Sequence, residues 1–232
     1  MHTTPRLFID GPLQEGASIL AAPAQAHHLA NVLRHQQGDP IRVFNGTDGE
    51  YAASITLLRK SHLELTLGAQ LRRQAPEPDC WLVFALLKRD ATDLVVQKAT
   101  ELGVSAILPV ITERTNAARV NLDRLRAIAT EAAIQSERLT IPDIREPQNL
   151  FALLGSWPTG RTLSAAMERA AARALAPPAG AFLVGPEGGF TTRELDVLGS
   201  APFIQTVSLG PRILRADTAA IAGLALLLAH PF

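Results

Sequence analysis

Two short apolar runs, each leading through a glycine- and proline-rich loop into a helical stretch, constrain this chain more than any other feature. The first reads Phe182-Leu183-Val184-Gly185-Pro186-Glu187-Gly188-Gly189, and the second Val207-Ser208-Leu209-Gly210-Pro211-Arg212-Ile213-Leu214-Arg215-Ala216-Asp217-Thr218. Two strand–loop–helix units in quick succession suggest loops at the C-terminal edge of a parallel sheet, where open α/β sheets bind ligands. Neither loop ends in the Lys-Ser/Thr pair of a phosphate-binding P-loop, and neither carries the three-glycine dinucleotide fingerprint. Their ligand is therefore expected to be held by backbone groups and apolar contacts, with little phosphate recognition.

The preceding sequence supports such a sheet. Residues 81–87 and 106–110 are continuous apolar runs, as strands covered on both faces are. Residues 92–102 read as a helix, with Leu94, Val95, Ala99 and Leu102 on one face and Gly103 as its stop. A long helix is expected over 122–138, short strands over 163–167, 181–184 and 203–208, and helices over 192–198 and 218–229. Thr191 and Glu194 stand at capping-box spacing before the first of these last two helices. Alternating strands and helices imply a mostly parallel α/β sheet. The pattern differs before residues 72–79, a polar stretch with two prolines that reads as a linker. There the expected elements are strands at 6–9, 40–45, 51–58 and 62–71, a turn at Gly46-Thr47-Asp48-Gly49 and one helix over 24–35. The division predicts a small β-rich domain, a barrel, over 1–73 and an α/β domain over 74–232.

Composition sets further bounds. At 47% hydrophobic and 19% charged over 232 residues, the chain is an ordered globular protein. The single Cys80 excludes an internal disulfide or a cysteine-based zinc site, and beside the run 81–87 it reads as a small core residue. His27 and His28 have no His/Cys cluster to complete a metal site, so none is expected. No basic stretch followed by an apolar one opens the chain. The most apolar segment, 219–229, is far shorter than the ~20 residues that span a bilayer. The expected location is cytoplasmic, with 219–229 buried in the core or against another subunit. Formal net charge is zero, so a nucleic-acid surface would have to come from clustering. The cations are 19 Arg and 3 Lys; arginine suits phosphate and base recognition, although compositional bias in an Ala-rich chain also accounts for it.

Several segments occur together and in order: His27-His28-Leu29-Ala30-Asn31-Val32-Leu33-Arg34 with Gly38-Asp39; Lys88-Arg89-Asp90; Val96-Gln97-Lys98-Ala99-Thr100-Glu101-Leu102-Gly103-Val104; Thr112-Glu113-Arg114-Thr115; Glu131-Ala132-Ala133-Ile134-Gln135-Ser136-Glu137-Arg138; and the two C-terminal loops. Over nearly the whole chain this series resembles the bacterial 16S ribosomal RNA (uracil-N3)-methyltransferase family of the SPOUT superfamily. The resemblance implies an N-terminal PUA-like barrel that helps hold RNA. It also implies a C-terminal α/β domain whose backbone forms a trefoil knot, S-adenosylmethionine (SAM) as methyl donor, and a homodimer as the working unit. The implied target is a uridine near the decoding centre of 16S rRNA, within the small ribosomal subunit. Two departures stand out. Asp217-Thr218-Ala219 replaces the family's Glu-Thr-Ala, and Leu122-Asp123-Arg124 replaces an aromatic near the start of the long helix.

Carried onto this sequence, the cofactor positions are Leu163, Ser164 and Ala165 at a strand end; Leu183, Val184, Gly185, Pro186, Glu187, Gly188 and Gly189 in the first loop; and Ser208, Leu209, Gly210, Ile213, Leu214, Arg215 and Thr218 in the second. Gly185, Gly188 and Gly189 allow close backbone approach and positive φ. Leu209, Ile213 and Leu214 offer apolar walls for an adenine. Glu187 and Asp217 are candidate acceptors for the proton of uracil N3, and Arg215 is the candidate cation for charge developing on O2 or O4. A salt bridge for Glu187 and a helix-cap role for Asp217 are the plainer alternatives. Candidate RNA contacts are Arg6, His28, Arg34, Lys88, Arg114 and Arg138, with a dimer contact or an internal ion pair to Glu131 or Glu137 open for Arg138. Other functions consistent with the sequence are methylation of a different RNA, such as a transfer RNA, or a binding module without catalysis. A nucleotide hydrolase is disfavoured by the missing P-loop lysine.

Overall fold

The computed structural model describes residues 4–59, 61–115, 120–167, 173–175 and 180–228. The chain forms two compact units. One comprises residues 1–76 with 133–141, and the other 77–132 with 142–232.

In the first unit, β1 (Arg6–Phe8) runs parallel to β3 (Pro40–Phe44). β4 (Glu50–Arg59) and β5 (His62–Arg72) continue the sheet antiparallel, and β2 (Ser18–Ala21) pairs with β5, giving the order β1-β3-β4-β5-β2. Period-two burial of Ala53 and Ile55 on β4, and of Leu63, Leu65 and Leu67 on β5, builds one apolar face over which Leu29 and Ala26 close. The β3–β4 turn forms as expected. Asn45 Oδ1 accepts the amides of Thr47 and Asp48 at 3.0 and 2.8 Å, and Gly46 and Gly49 take positive φ.

The single helix expected over 24–35 is instead α1 (Pro23–His27) followed by a π-helical turn, His28–Val32. The wider turn is closed by the Leu33 amide on His28 O at 3.0 Å and the His35 amide on Leu29 O at 2.9 Å. It leaves Arg34 in the left-handed region at φ 57°. Such turns inside helices recur at functional positions.

Segment 133–141 joins this unit through charge. Glu50, almost fully buried, accepts Arg6 Nε at 2.6 Å and Arg72 Nε at 3.0 Å, with Arg42 Nη1 at 3.8 Å. Arg6 also donates to the carbonyls of Ala133, Ile134 and Arg138, and Arg72 Nη2 donates to that of Glu137 at 2.6 Å. The arginines of the small sheet thus satisfy the open carbonyls at a helix end. That helix, α3 (Leu122–Gln135), stops short of the expected Arg138, and Glu137 turns left-handed at φ 58°.

The second unit is a parallel sheet. Its strands are β6 (Trp81–Ala85), β7 (Ala106–Ile111), β8 (Asp143–Ile144), β9 (Gln148–Asn149), β10 (Leu163–Ala166), β11 (Arg173–Ala174), β12 (Ala181–Val184) and β13 (Ile204–Ser208). They order as β11-β13-β10-β12-β6-β7-β8, with β9 also on β7. α2 (Arg89–Leu102) and α6 (Ala216–Leu228) pack on each other, α6 also against β12 and β6. α4 (Leu150–Gly155) and α5 (Thr192–Ser200) lie against β7 and β13. Gly103 ends α2 at φ 97°, as its sequence position suggests. α4 is absent from the sequence reading; Asn149 caps it by accepting the Phe151 amide at 2.9 Å. The apolar helix expected over 218–229 spans Ala216–Leu228, and Ala229 lies outside the described residues.

Cys80 is buried, and burial pushes its thiol up to about 11, consistent with a core residue. No helix among the described residues is long and apolar enough to cross a membrane, and they contain no group of side chains that could hold a metal ion.

Candidate active site

Parallel strands bring all their C-terminal ends to one edge. β10 lies between β12 and β13, with Ala165 level with Leu183 on one side and Thr206 on the other. The loop after β12 and the loop after β13 therefore flank the C-terminal end of β10, beside Ala165; Leu163 opens the strand at its other end, and Leu163, Ser164 and Ala165 are all buried. The connections place β12 between β6 and β10, out of chain order, and such a switch in strand order opens a crevice at this edge.

The first loop is a tight turn, closed by the Gly189 amide on Pro186 O at 2.9 Å with Gly189 at φ 69°. Positive φ is expected at Gly185 and Gly188 as well, but neither has it. Their lack of a side chain serves packing. An ideal Cβ on Gly185 would lie 2.8 Å from Phe190 Cε2, and one on Gly188 would lie 3.4 Å from Arg114 Cβ. Leu183 and Val184 are buried under the loop and Pro186 is buried within it, while Glu187 at its tip is exposed. In the second loop, Ser208 Oγ accepts the Gly210 amide at 3.2 Å, and Gly210 takes φ 112°. Leu209 and Leu214 are half-buried, whereas Ile213 is 60% exposed, an apolar side chain offered to the edge. Arg215 is exposed, and its carbonyl accepts the Ala219 amide at 2.8 Å to start α6. Asp217 lies within the first turn of α6 and not at its cap, and its Oδ1 accepts the amide and hydroxyl of Thr218.

A third loop holds the first in place. Arg114, after β7, donates from Nη1 to Gly188 O at 2.9 Å. Its neighbour Glu113 donates its amide to Glu194 Oε1 at 2.9 Å. Glu194 is buried, and its other oxygen accepts the Thr191 amide at 2.8 Å and hydroxyl at 3.1 Å. The capping-box spacing identifies Glu194 as a cap; its second role, tying the β7 loop to α5, has no signal in the sequence. Leu86, Leu87, Lys88, Arg114, Pro186 and Glu187 line a shallow depression between the loops after β6, β7 and β12.

The candidate RNA contacts divide. His28, Arg34, Lys88 and Arg114 are exposed. Arg6 is corrected: it is 6% exposed and directs all three guanidinium nitrogens to Glu50 and helix-end carbonyls, leaving none for a phosphate. Burial lowers its affinity for a proton, opposed by Glu50. Arg138 is corrected likewise: it is buried, and its Nε donates to Thr140 Oγ1 at 2.9 Å. The anchor at Glu50 is invisible in sequence because its partners lie far along the chain.

Comparison with known proteins identifies the family. The family model of an RNA methyltransferase domain matches residues 74–228, and that of an RNA methyltransferase PUA domain matches 21–68. The ribosomal RNA small subunit methyltransferase E of Rickettsia conorii is 36% identical over 227 residues, covering 95% of this chain and 93% of that protein. A methyltransferase of Legionella pneumophila, solved with its cofactor SAM, is 31% identical with a TM-score of 0.88, covering 98% of each chain. The ribosomal RNA small subunit methyltransferase E of Neisseria gonorrhoeae, solved with SAM, is 31% identical with a TM-score of 0.88, covering 96% of each. A PUA-like sheet unit, a parallel α/β unit with glycine-rich loops at one edge, and this match over almost the whole length place the chain in the ribosomal RNA small subunit methyltransferase E family, of SPOUT type.

Proposed function

We propose that this chain transfers a methyl group from SAM to N3 of a uridine near the decoding centre of 16S rRNA, acting in the cytoplasm on RNA of the small ribosomal subunit. The observation that carries the reading is the placement of both glycine-rich loops around the end of β10. The residues there fit SAM: a backbone cradle with positive φ at Gly189 and Gly210, and apolar Leu209, Ile213 and Leu214. SAM supplies an electrophilic methyl group on a sulfonium.

Uracil N3 carries a weakly acidic proton that leaves as the new N–C bond forms. Glu187, exposed and without an ion-pair partner among the described residues, is the freer acceptor. Asp217 has one oxygen committed to Thr218 and serves α6 first. Arg215 neutralises charge building on O2 or O4. Orientation of the base supplies much of the acceleration.

In this reading residues 1–73 hold RNA, with His28 and Arg34 among the contacts, and Lys88 and Arg114 extend the contact to the catalytic unit. Residues 74–232 bind SAM, catalyse and form a homodimer through the apolar α6, where Leu226 is exposed. The trefoil knot of the family belongs to the same reading. Incubation with methyl-labelled SAM and separated ribosomal and transfer RNA fractions tests it. Label in 16S rRNA is expected; label in transfer RNA alone would assign a different substrate, and no transfer at all would leave a binding module.

A further inference from the structure

Three cations at the C-terminal sheet edge of the second unit have no work in the fold. Lys88 and Arg89 stand where the loop after β6 enters α2, and Arg212 stands in the loop after β13. All three are exposed, and among the described residues none of their side chains has a hydrogen-bond or ion-pair partner. Other arginines of this unit are spent: Arg124 on Asp93, Arg145 on Asp143, Arg161 on Asp79. The free cations fall on either side of the first candidate cofactor loop, Arg212 within the second. The strands run β13-β10-β12-β6, so three interstrand steps of about 4.8 Å put the two groups on strands about 14 Å apart. Between them lie the end of β10 and the Gly185–Gly189 turn.

The chemistry of the reaction says what would fill this arrangement. N3 of uracil sits on the Watson–Crick edge and holds the proton donated in a base pair. A base methylated there must be unpaired, either in a single strand or turned out of a helix. Such a nucleotide carries backbone phosphates on both sides of its sugar. We propose that Lys88 and Arg89 on one side, and Arg212 on the other, clamp the phosphates flanking an unpaired uridine. The catalytic unit would thus grip single-stranded RNA itself. The proposal rests on the function proposed above and deepens it by naming the substrate as an unpaired nucleotide held by its backbone.

Binding of a labelled single-stranded RNA oligonucleotide, titrated at several salt concentrations with the demethylated cofactor product present, tests the clamp. Each lost phosphate contact on a single strand lowers the slope of log affinity against log salt by about 0.7, so Lys88→Gln/Arg89→Gln should flatten it by about 1.4 and Arg212→Gln by about 0.7. SAM affinity of the same variants should stay within twofold of the parent. Slopes equal to the parent's would overturn the clamp, and so would loss of SAM binding, which would move these residues to the cofactor site. A parent protein that binds SAM but no RNA would instead overturn the proposed function itself. Annealing a complementary strand across the target should slow single-turnover methyl transfer more than tenfold; equal rates would overturn the requirement for an unpaired base.

Discussion

Replacing Gly223 with alanine probes how the sheet holds the two candidate loops. Gly223 faces Phe182 across the α6–β12 contact, and both are buried. An ideal Cβ there would overlap Phe182 Cε1 and Cζ and lie 3.0 Å from Cδ1, inside the ~3.5–4.0 Å optimum for carbon pairs. The ring is fully buried. Two effects compete. Alanine is favoured over glycine in a helix interior by about 0.8–1.0 kcal/mol. Overpacking a core costs about 1–3 kcal/mol, and a contact this close belongs at the upper end. The net is a loss of about 2 kcal/mol, or a fall in thermal midpoint of roughly 4–8 °C for a chain of this size. α6 starts where the second loop ends, and β12 ends where the first begins, so the strain also parts the loops and weakens SAM binding. Chemical denaturation measures the first effect and isothermal titration with SAM the second. Phe182→Leu costs stability alone but makes room for the methyl, so the double variant should recover at least about 1 kcal/mol over the sum of the singles. A Gly223→Ala variant as stable as the parent, or a cycle without coupling, would refute the reasoning.

Three further outcomes follow from the described contacts. Glu50→Ala strands Arg6 as a buried, unpaired charge and should cost about 3–5 kcal/mol in denaturation, with Glu50→Gln between it and the parent; an unchanged midpoint would contradict the anchor. Asp79 beside Arg161, Glu137 beside Arg42, and Asp39 and Asp48 under the amides of Gln36 and Leu13 are all held below the usual carboxylate range. Depressed carboxylates contribute fully above the unfolded value of about 4 and lose that contribution as pH falls through their lower folded values, so stability should drop on acidification below about pH 4 and should not rise. Arg114→Ala releases the Gly188 carbonyl and should weaken SAM binding severalfold with little change in thermal midpoint; unchanged titration would remove Arg114 from the support of the loop.

The parallel sheet, its edge loops, the α5 capping box and the α2 stop were legible in the sequence because each is a local signal: an apolar run, a glycine, a spacing of three. What escaped was non-local or irregular. The π-turn over His28–Val32 has the residue types of an ordinary helix, and only its hydrogen bonds distinguish it. Arg6 looks like any strand-end arginine until Glu50 and the carbonyls of 133–138 surround it. For the same reason the linker at 72–79 does not mark the whole boundary, since segment 133–141 groups with the first unit. Positive φ was legible as a glycine property, but which glycines use it depends on neighbours such as Phe190 and Arg114.

Identification of the methylated nucleoside decides whether this chain is an N3-specific uridine methyltransferase. Small-subunit RNA lacking the modification, incubated with this protein and SAM, then digested and analysed by chromatography and mass spectrometry, should yield N3-methyluridine at one position. The yield should vanish in Gly185→Val, whose side chain meets Phe190 and disrupts the loop. A methyl group found on a ribose, on another base or on C5 of uracil would contradict the account.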